Sequence, residues 1–264
     1  MKITTTHLVY FSATNTTQKI VRAIGKELEG ELVEHNLTLQ QPQEKIELGA
    51  HELLVVGVPV FAGRVPALVV PALQKFQTQG GAAILVGVYG NRDYDDALLE
   101  LQEITRKSGF RTLACAAFIA QHSMFPAVGA NRPDAQDLAQ IRRFGEEARS
   151  LLQTLTSCEQ LTSLSVPGNR PYKTVKSLSL HPLGNEQCNN CGTCVKQCPV
   201  DAIPVGHPRE TRADRCISCG RCIAVCPQKA RAFSGPLYEA TNQRFTQAFN
   251  KRREPFTLFA RILA

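Results

Sequence analysis

The sequence predicts two folded parts: an α/β domain on a parallel sheet over residues 1–155, then a small α+β module over residues 186–235. Three observations predict this division. The first 155 residues alternate near-continuous apolar runs with helical patterns, as parallel strands covered on both faces do. Residues 156–187 lose that periodicity and fill with Ser, Thr, Pro and Gly. Beyond them, eight of the ten cysteines fall into two copies of one spacing.

The elements follow in order. Residues 3–11, ITTTHLVYF, are β-rich, and residues 15–29 carry Ile20, Val21, Ile24 and Leu28 on one helical face. Residues 31–38 alternate as a second strand. ELLVVGV at 52–58 and AAILVGVY at 82–89 are apolar runs that read as buried strands. Pro66 opens an expected helix over 66–77, since proline suits a first helical turn. Residues 95–108 are helical in pattern with Gly109 as the stop. Residues 111–120 make a fifth strand, and 134–155 a last helix starting near Asp134. Five strands in about 150 residues suit the flavodoxin-like order 2-1-3-4-5, whose ligand sits beyond the carboxyl ends of the strands, where the order reverses between the first and third.

Residues 156–185 read as a linker, residues 186–235 as the cysteine module, and residues 236–264 as a partly helical extension with Phe245, Phe249, Phe256, Phe259 and Ile262 packing on one of the domains. The module is internally duplicated. Cys188, Cys191, Cys194 and Cys198 precede Pro199, and Cys216, Cys219, Cys222 and Cys226 precede Pro227, 28 residues later. Each copy reads C-x₂-C-x₂-C-x₃-C-P, the bacterial run for a 4Fe–4S cluster, in which the fourth cysteine serves the other cluster. A cubane needs four thiolates from four directions. Three closely spaced cysteines wrap one side, and the fourth comes from elsewhere. The expected sets are Cys188, Cys191, Cys194 and Cys226 for one cluster, and Cys216, Cys219, Cys222 and Cys198 for the other. Zinc sites favour paired knuckles instead. A disulfide framework has only Cys115 and Cys158 to add, and nothing marks the chain as secreted.

The N-terminal stretch lacks a signal-peptide pattern, and no segment is apolar enough for a membrane span. With cluster thiolates, this predicts a reducing cytoplasm in an organism living with little oxygen. The net charge of +7 is concentrated after residue 204, where 11 basic residues face 4 acidic ones. Each cluster with its thiolates contributes about −2, so a basic shell around anionic clusters is expected rather than a nucleic-acid surface.

A second site is expected at the strand ends. Ser12-Ala13-Thr14-Asn15-Thr16-Thr17 places hydroxyls and free N–H groups at a helix N-terminus, an anion site. Neither a nucleoside-triphosphate loop nor a dinucleotide fingerprint is present, and a short hydroxyl loop suits a single terminal phosphate such as that of FMN. The same residues could also simply cap the helix. Pro59-Val60-Phe61-Ala62-Gly63-Arg64-Val65-Pro66 and Tyr89-Gly90-Asn91-Arg92-Asp93-Tyr94 leave two neighbouring strands, each with glycine for close approach and an aromatic to stack on a flat ring.

YFSATNTTQKI resembles the phosphate loop of flavodoxins, and VGVPVFAGRVPALV and VGVYGNRDYDDALLEL resemble their ring-binding loops. Joined to VPGNRPYK and the double cysteine run, the chain resembles the EFR-type flavodoxin–ferredoxin fusion proteins from residue 8 to about 235. The resemblance implies FMN and two 4Fe–4S clusters. It implies that Ser12, Thr14, Asn15, Thr16 and Thr17 hold the phosphate. Pro59, Phe61, Ala62 and Gly63 would flank one side of the ring, and Tyr89, Gly90, Asn91, Arg92 and Tyr94 the other. Asn15 stands where the family usually has glycine, a position that asks for left-handed backbone, which Asn tolerates.

His122 follows the fifth strand in QHSMFP and is a candidate proton donor to a reduced substrate or a group near the flavin; a hydrogen-bonded loop histidine is the plainer reading. Arg132, Asp134 and Asp137 are expected to cap the last helix. Cys115 reads as a buried thiol. Clusters move single electrons and a flavin accepts one or two, so the chain is expected to relay electrons between them. One reading is an oxidoreductase that reduces a small acceptor. The other is a carrier between redox partner proteins, with the basic region steering an acidic partner. A regulatory sensor has no DNA-binding motif to support it.

Overall fold

The computed structural model describes residues 1–175 and 180–263. Residues 176–179 of the expected linker, and Ala264, lie outside the described residues. In chain order the first part comprises β1 (Thr5–Tyr10), α1 (Thr16–Gly25), β2 (Glu31–Asn36), β3 (Ile46–Leu48), β4 (Glu52–Pro59), α2 (Val70–Leu73), β5 (Phe76–Thr78), β6 (Ala82–Tyr89), α3 (Ala97–Lys107), β7 (Arg111–Ile119) and α4 (Ala135–Thr154). The rest comprises β8 (Leu183–Gly184), α5 (Thr193–Lys196), α6 (Arg221–Ala224), β9 (Arg231–Ala232), α7 (Pro236–Phe249) and β10 (Phe256–Phe259).

The main sheet runs β10-β7-β6-β4-β1-β2. Its five strands from β2 to β7 are parallel and reproduce the flavodoxin-like order. Every residue of β6 is buried, as an interior parallel strand requires. Helix α1 turns Ile20, Val21 and Ile24 onto the sheet and packs beside α4, while α3 packs on β6 and β7. Gly57 in β4 is needed for this approach, because a Cβ there would lie 2.2 Å from Val21 Cγ2.

One expectation is corrected. The helix over 66–77 shrinks to a 3₁₀ turn at Ala67–Val69 and the single turn α2. The chain then extends as β5, paired with β3. Phe76 and Thr78, two apart, are both buried on one side, and that period of two outweighs the helical spacing. The extension is helical only in part, as expected. After α7 the chain returns to the first domain as β10, antiparallel to β7. This covers an edge strand whose free N–H and C=O groups would otherwise be exposed. Among the described residues no helix is long and apolar enough to cross a membrane.

The cysteine module repeats its backbone as well as its sequence. Asn190, Gly192 and Asp201 have φ of 60°, 72° and 50°, and Ser218, Gly220 and Lys229, each 28 positions on, have 53°, 76° and 50°. The short helices α5 and α6 pack on each other, and β8 pairs with β9.

Candidate cofactor site at the sheet and cysteine junction

The carboxyl ends of β1, β4, β6 and β7 open onto one cavity of about 880 Å³. Its walls include Thr14, Thr16 and Thr17 after β1, residues 59–66 after β4, Tyr89, Gly90 and Arg92 after β6, and His122 after β7. Cys216, Ile217, Ser218 and Cys219 form a further wall. The second cysteine run therefore borders the same space as the strand-end loops.

The first loop is built for an anion. Asn15 adopts φ 64°, ψ 0°, the left-handed turn expected where the family usually has glycine. Ser12 is consumed structurally: its N–H donates to Thr38 Oγ1 at 2.9 Å and its Oγ accepts from the Gln18 amide at 3.0 Å. Among the described residues the amides of Thr14, Thr16 and Thr17 have no hydrogen-bond acceptor, as befits a helix N-terminus. Three of the five expected phosphate residues thus line the cavity, while Ser12 and Asn15 hold the loop's shape.

The second loop is a two-residue hairpin. Phe61 and Arg64 exchange both backbone hydrogen bonds at 3.0 Å, and Ala62 and Gly63 between them have φ of 51° and 87°. Glu100 fixes its far side, accepting from Arg64 Nη2 at 2.7 Å, Arg64 Nε at 2.8 Å and the Val65 amide at 2.9 Å. The linker closes over this corner. Tyr172 stacks under the Arg64 guanidinium at 4.5 Å, and buried Asp96 accepts from the Asn169 and Lys173 amides at 2.7 and 2.6 Å.

The third loop divides its expected residues. Tyr89, Gly90 and Arg92 line the cavity, but Asn91 and Tyr94 do not. Asn91 Nδ2 donates to the Phe249 and Lys251 carbonyls at 2.7 and 2.8 Å, and its Oδ1 accepts from Arg132 Nη1 and the Arg253 amide at 3.3 Å. Asn91 is a clasp for the C-terminal segment rather than a ring contact. Tyr94 packs against Tyr89 and against Phe256 of β10. Gly90 makes room for His122, whose Cδ2 would lie 2.4 Å from a Cβ at that position. Arg132 pairs with Asp137 through two bonds of 2.9 and 2.5 Å, and Asp134 and Asp137 form the capping box of α4, as expected.

His122 is a neutral ring. Its Nδ1 accepts from the Met124 and Phe125 amides at 3.1 and 3.2 Å, which leaves the proton on Nε2. Burial, with Arg92 nearby, pushes its pKa down to about 4. Phe125 and Phe245 pack on it with ring centroids at 5.0 Å. An imidazolium proton donor is therefore disfavoured here. The ring instead offers a neutral Nε2–H donor.

The cysteines are arranged as two related halves. The Ala202 amide donates to Cys198 Sγ at 3.2 Å, and the Ala230 amide to Cys226 Sγ at 3.3 Å. Burial raises the pKa of Cys216, Cys219 and Cys222, Cys219 to about 12, and the neighbouring charge of Cys198 adds to all three. Such thiols become thiolates only beside a strong cation such as iron. Among the described residues no three His, Cys, Asp or Glu side chains converge to hold a single metal ion; four thiolates around a cubane are a wider arrangement. Cys191 is exposed, whereas Cys219 is buried at the cavity.

Two arginines in this module were not singled out from the sequence. Arg231 is buried near the cysteines, where its charge acts on Cys194, Cys216 and Cys222, and its Nε has no partner among the described residues. A sulfur-rich anion such as a 4Fe–4S cluster would suit that orphaned donor. Arg221 is also buried, with its Nε unpartnered. Arg221 interrupts the second cysteine run as a cation among otherwise small or apolar positions, and this was the signal available; Arg231, beyond Pro227, carried none.

Residues 172–231 match the family described as a 4Fe-4S dicluster domain. No curated protein sequence matches the chain. Among solved structures, a flavodoxin from the domain Archaea is 18% identical, covering 56% of this chain and 99% of its own, with a TM-score of 0.40. A Fusobacterium nucleatum flavodoxin bound to flavin mononucleotide is 16% identical, covering 56% and 98%, with a TM-score of 0.38. An NADH:FMN oxidoreductase in its apo form is 16% identical, covering 58% and 91%, with a TM-score of 0.42. The strand order carries the fold assignment. The chain joins a flavodoxin-like domain to a 4Fe-4S dicluster domain.

Proposed function

We propose that the chain is an iron–sulfur flavoprotein that relays electrons between two 4Fe–4S clusters and FMN and reduces a small-molecule acceptor. One observation carries this reading: the strand-end loops and Cys216–Cys219 line a single cavity. When bound, the clusters supply single electrons and the flavin exchanges one or two.

The residues present suit these groups. The amides of Thr14, Thr16 and Thr17 would take the phosphate. Pro59, Phe61, Ala62, Gly63, Tyr89, Gly90 and Arg92 would border the ring. Cys216, Cys219, Cys222 and Cys198 would hold the cluster at the cavity, a set supported by the charge of Cys198 on the other three. Cys188, Cys191, Cys194 and Cys226 would hold the outer cluster, where exposed Cys191 offers a docking redox protein access. Arg64 is neutralised by Glu100 and Arg92 by Asp95, so the cavity carries little free charge and favours a neutral acceptor. His122 would offer its Nε2–H to a bound group, with Phe125 and Phe245 packed against the ring.

Anaerobic reconstitution should yield about eight irons per chain and FMN released by acid. Rapid mixing of the reduced protein with quinones and other small acceptors then tests the reductase reading. Saturable oxidation by such an acceptor supports it. Oxidation by redox proteins alone refutes it in favour of a carrier, and zinc without iron refutes both.

A further inference from the structure

Arg221 lies between Gly220 and Cys222, inside the second cysteine run, yet its side chain reaches the phosphate loop. Nη1 donates to the Ala13 carbonyl at 3.2 Å and to Asn15 Oδ1 at 2.9 Å. Nη2 donates to Gln197 Oε1, next to Cys198 of the first run. One guanidinium therefore joins the flavodoxin-like domain to both halves of the cysteine module. The loop around it is equally close: a Cβ on Gly220 would lie 3.3 Å from the Ser123 carbonyl and 3.6 Å from Thr14 Cγ2.

Two facts make this more than a packing contact. Arg221 is 8% exposed and, among the described residues, has no carboxylate partner. A buried cation left so is costly unless anions lie near. Cys219 as a cluster ligand would be one, and a phosphate on the loop's open amides would be the other. Second, Asn15 supplies both halves of its role. Its left-handed backbone shapes the turn that glycine would also allow, but only a side chain there can accept from Arg221.

We propose that Arg221 is a positioning residue that braces the phosphate loop through Asn15 and so ties retention of the flavin phosphate to the assembled cluster module. This rests on the flavin reading above. Arg221 touches the loop from behind, outside the cavity, so it acts through the loop's shape and field rather than by contact with the ring.

The test compares dissociation constants of FMN and riboflavin, which lacks the phosphate, in the cluster-loaded full chain. Arg221→Met removes the brace. Asn15→Gly removes only its acceptor and keeps the turn, so it covers a failure of the first variant to fold. Wild type binds FMN more tightly than riboflavin. Each variant shrinks that margin by about tenfold, the equivalent of one hydrogen bond to a charged group, and leaves riboflavin affinity unchanged. The double variant loses no more than either alone. A margin unchanged in both variants, an equal weakening of both flavins, or fully additive losses overturns the brace. A wild type that takes up neither flavin overturns the flavin reading itself, a distinct outcome.

Discussion

Replacing His122 by Gln tests whether this ring is held neutral. Gln can accept the same two amides, from Met124 and Phe125, but does not titrate. In the folded chain the pKa of His122 is pushed down to about 4, first by burial and then by Arg92. In the unfolded chain it returns to about 6.5. Between these values the unfolded chain binds a proton that the folded chain refuses. His122 therefore contributes stability that is present above about pH 6.5 and is lost as pH falls toward 4. The full difference is about 3 kcal/mol, and about 1.3 kcal/mol of it falls between pH 7.5 and 5.5. The assay is anaerobic denaturant unfolding of cluster-loaded wild type and His122→Gln at those two pH values. His35, whose pKa is also lowered by burial and by the charge of His7, contributes equally to both proteins and cancels. So does protonation of the cysteines. The stability gap between wild type and variant should narrow in acid by about 1.3 kcal/mol. A gap that stays constant with pH refutes a neutral, partly buried His122.

Asn91→Gly keeps the backbone at φ 60° but removes four hydrogen bonds to the C-terminal segment and Arg132; stability should fall by about 2–4 kcal/mol, and trypsin should cut first at Lys251–Arg253. Gly57→Ala places a Cβ 2.2 Å from Val21 Cγ2; overpacking should cost about 1–3 kcal/mol, and a second change, Val21→Ala, should restore part of the loss in the same unfolding assay. Asp96→Ala leaves the Asn169 and Lys173 amides unpartnered; the linker should be cleaved after Lys173 many-fold faster while the thermal midpoint of the main sheet changes little.

Much of the fold could be read because its codes are local. The apolar runs of β4 and β6 and the face of α1 are periodicities within single elements, and the cysteine spacing lies within eleven residues of each run. The strand-end loops could be placed because a parallel sheet puts its ligand at one end. What could not be read depends on partners far along the chain. Asn91 and Tyr94 looked like ring contacts because they follow β6, but Phe249, Lys251 and Phe256 claim them. The short β5 was hidden because Phe76 and Thr78 acquire their meaning only beside β3.

The sequence by itself determined the two-part chain, the parallel strand order and the paired cysteine runs, because spacing and periodicity act through short-range geometry. Only the tertiary structure decided that Cys216–Cys219 faces the strand ends, that β10 closes the sheet edge, and that Arg221 meets Asn15 across 206 residues. Those contacts arise from docking two surfaces, and a guanidinium reads the same in a sequence whether it faces water or a buried loop.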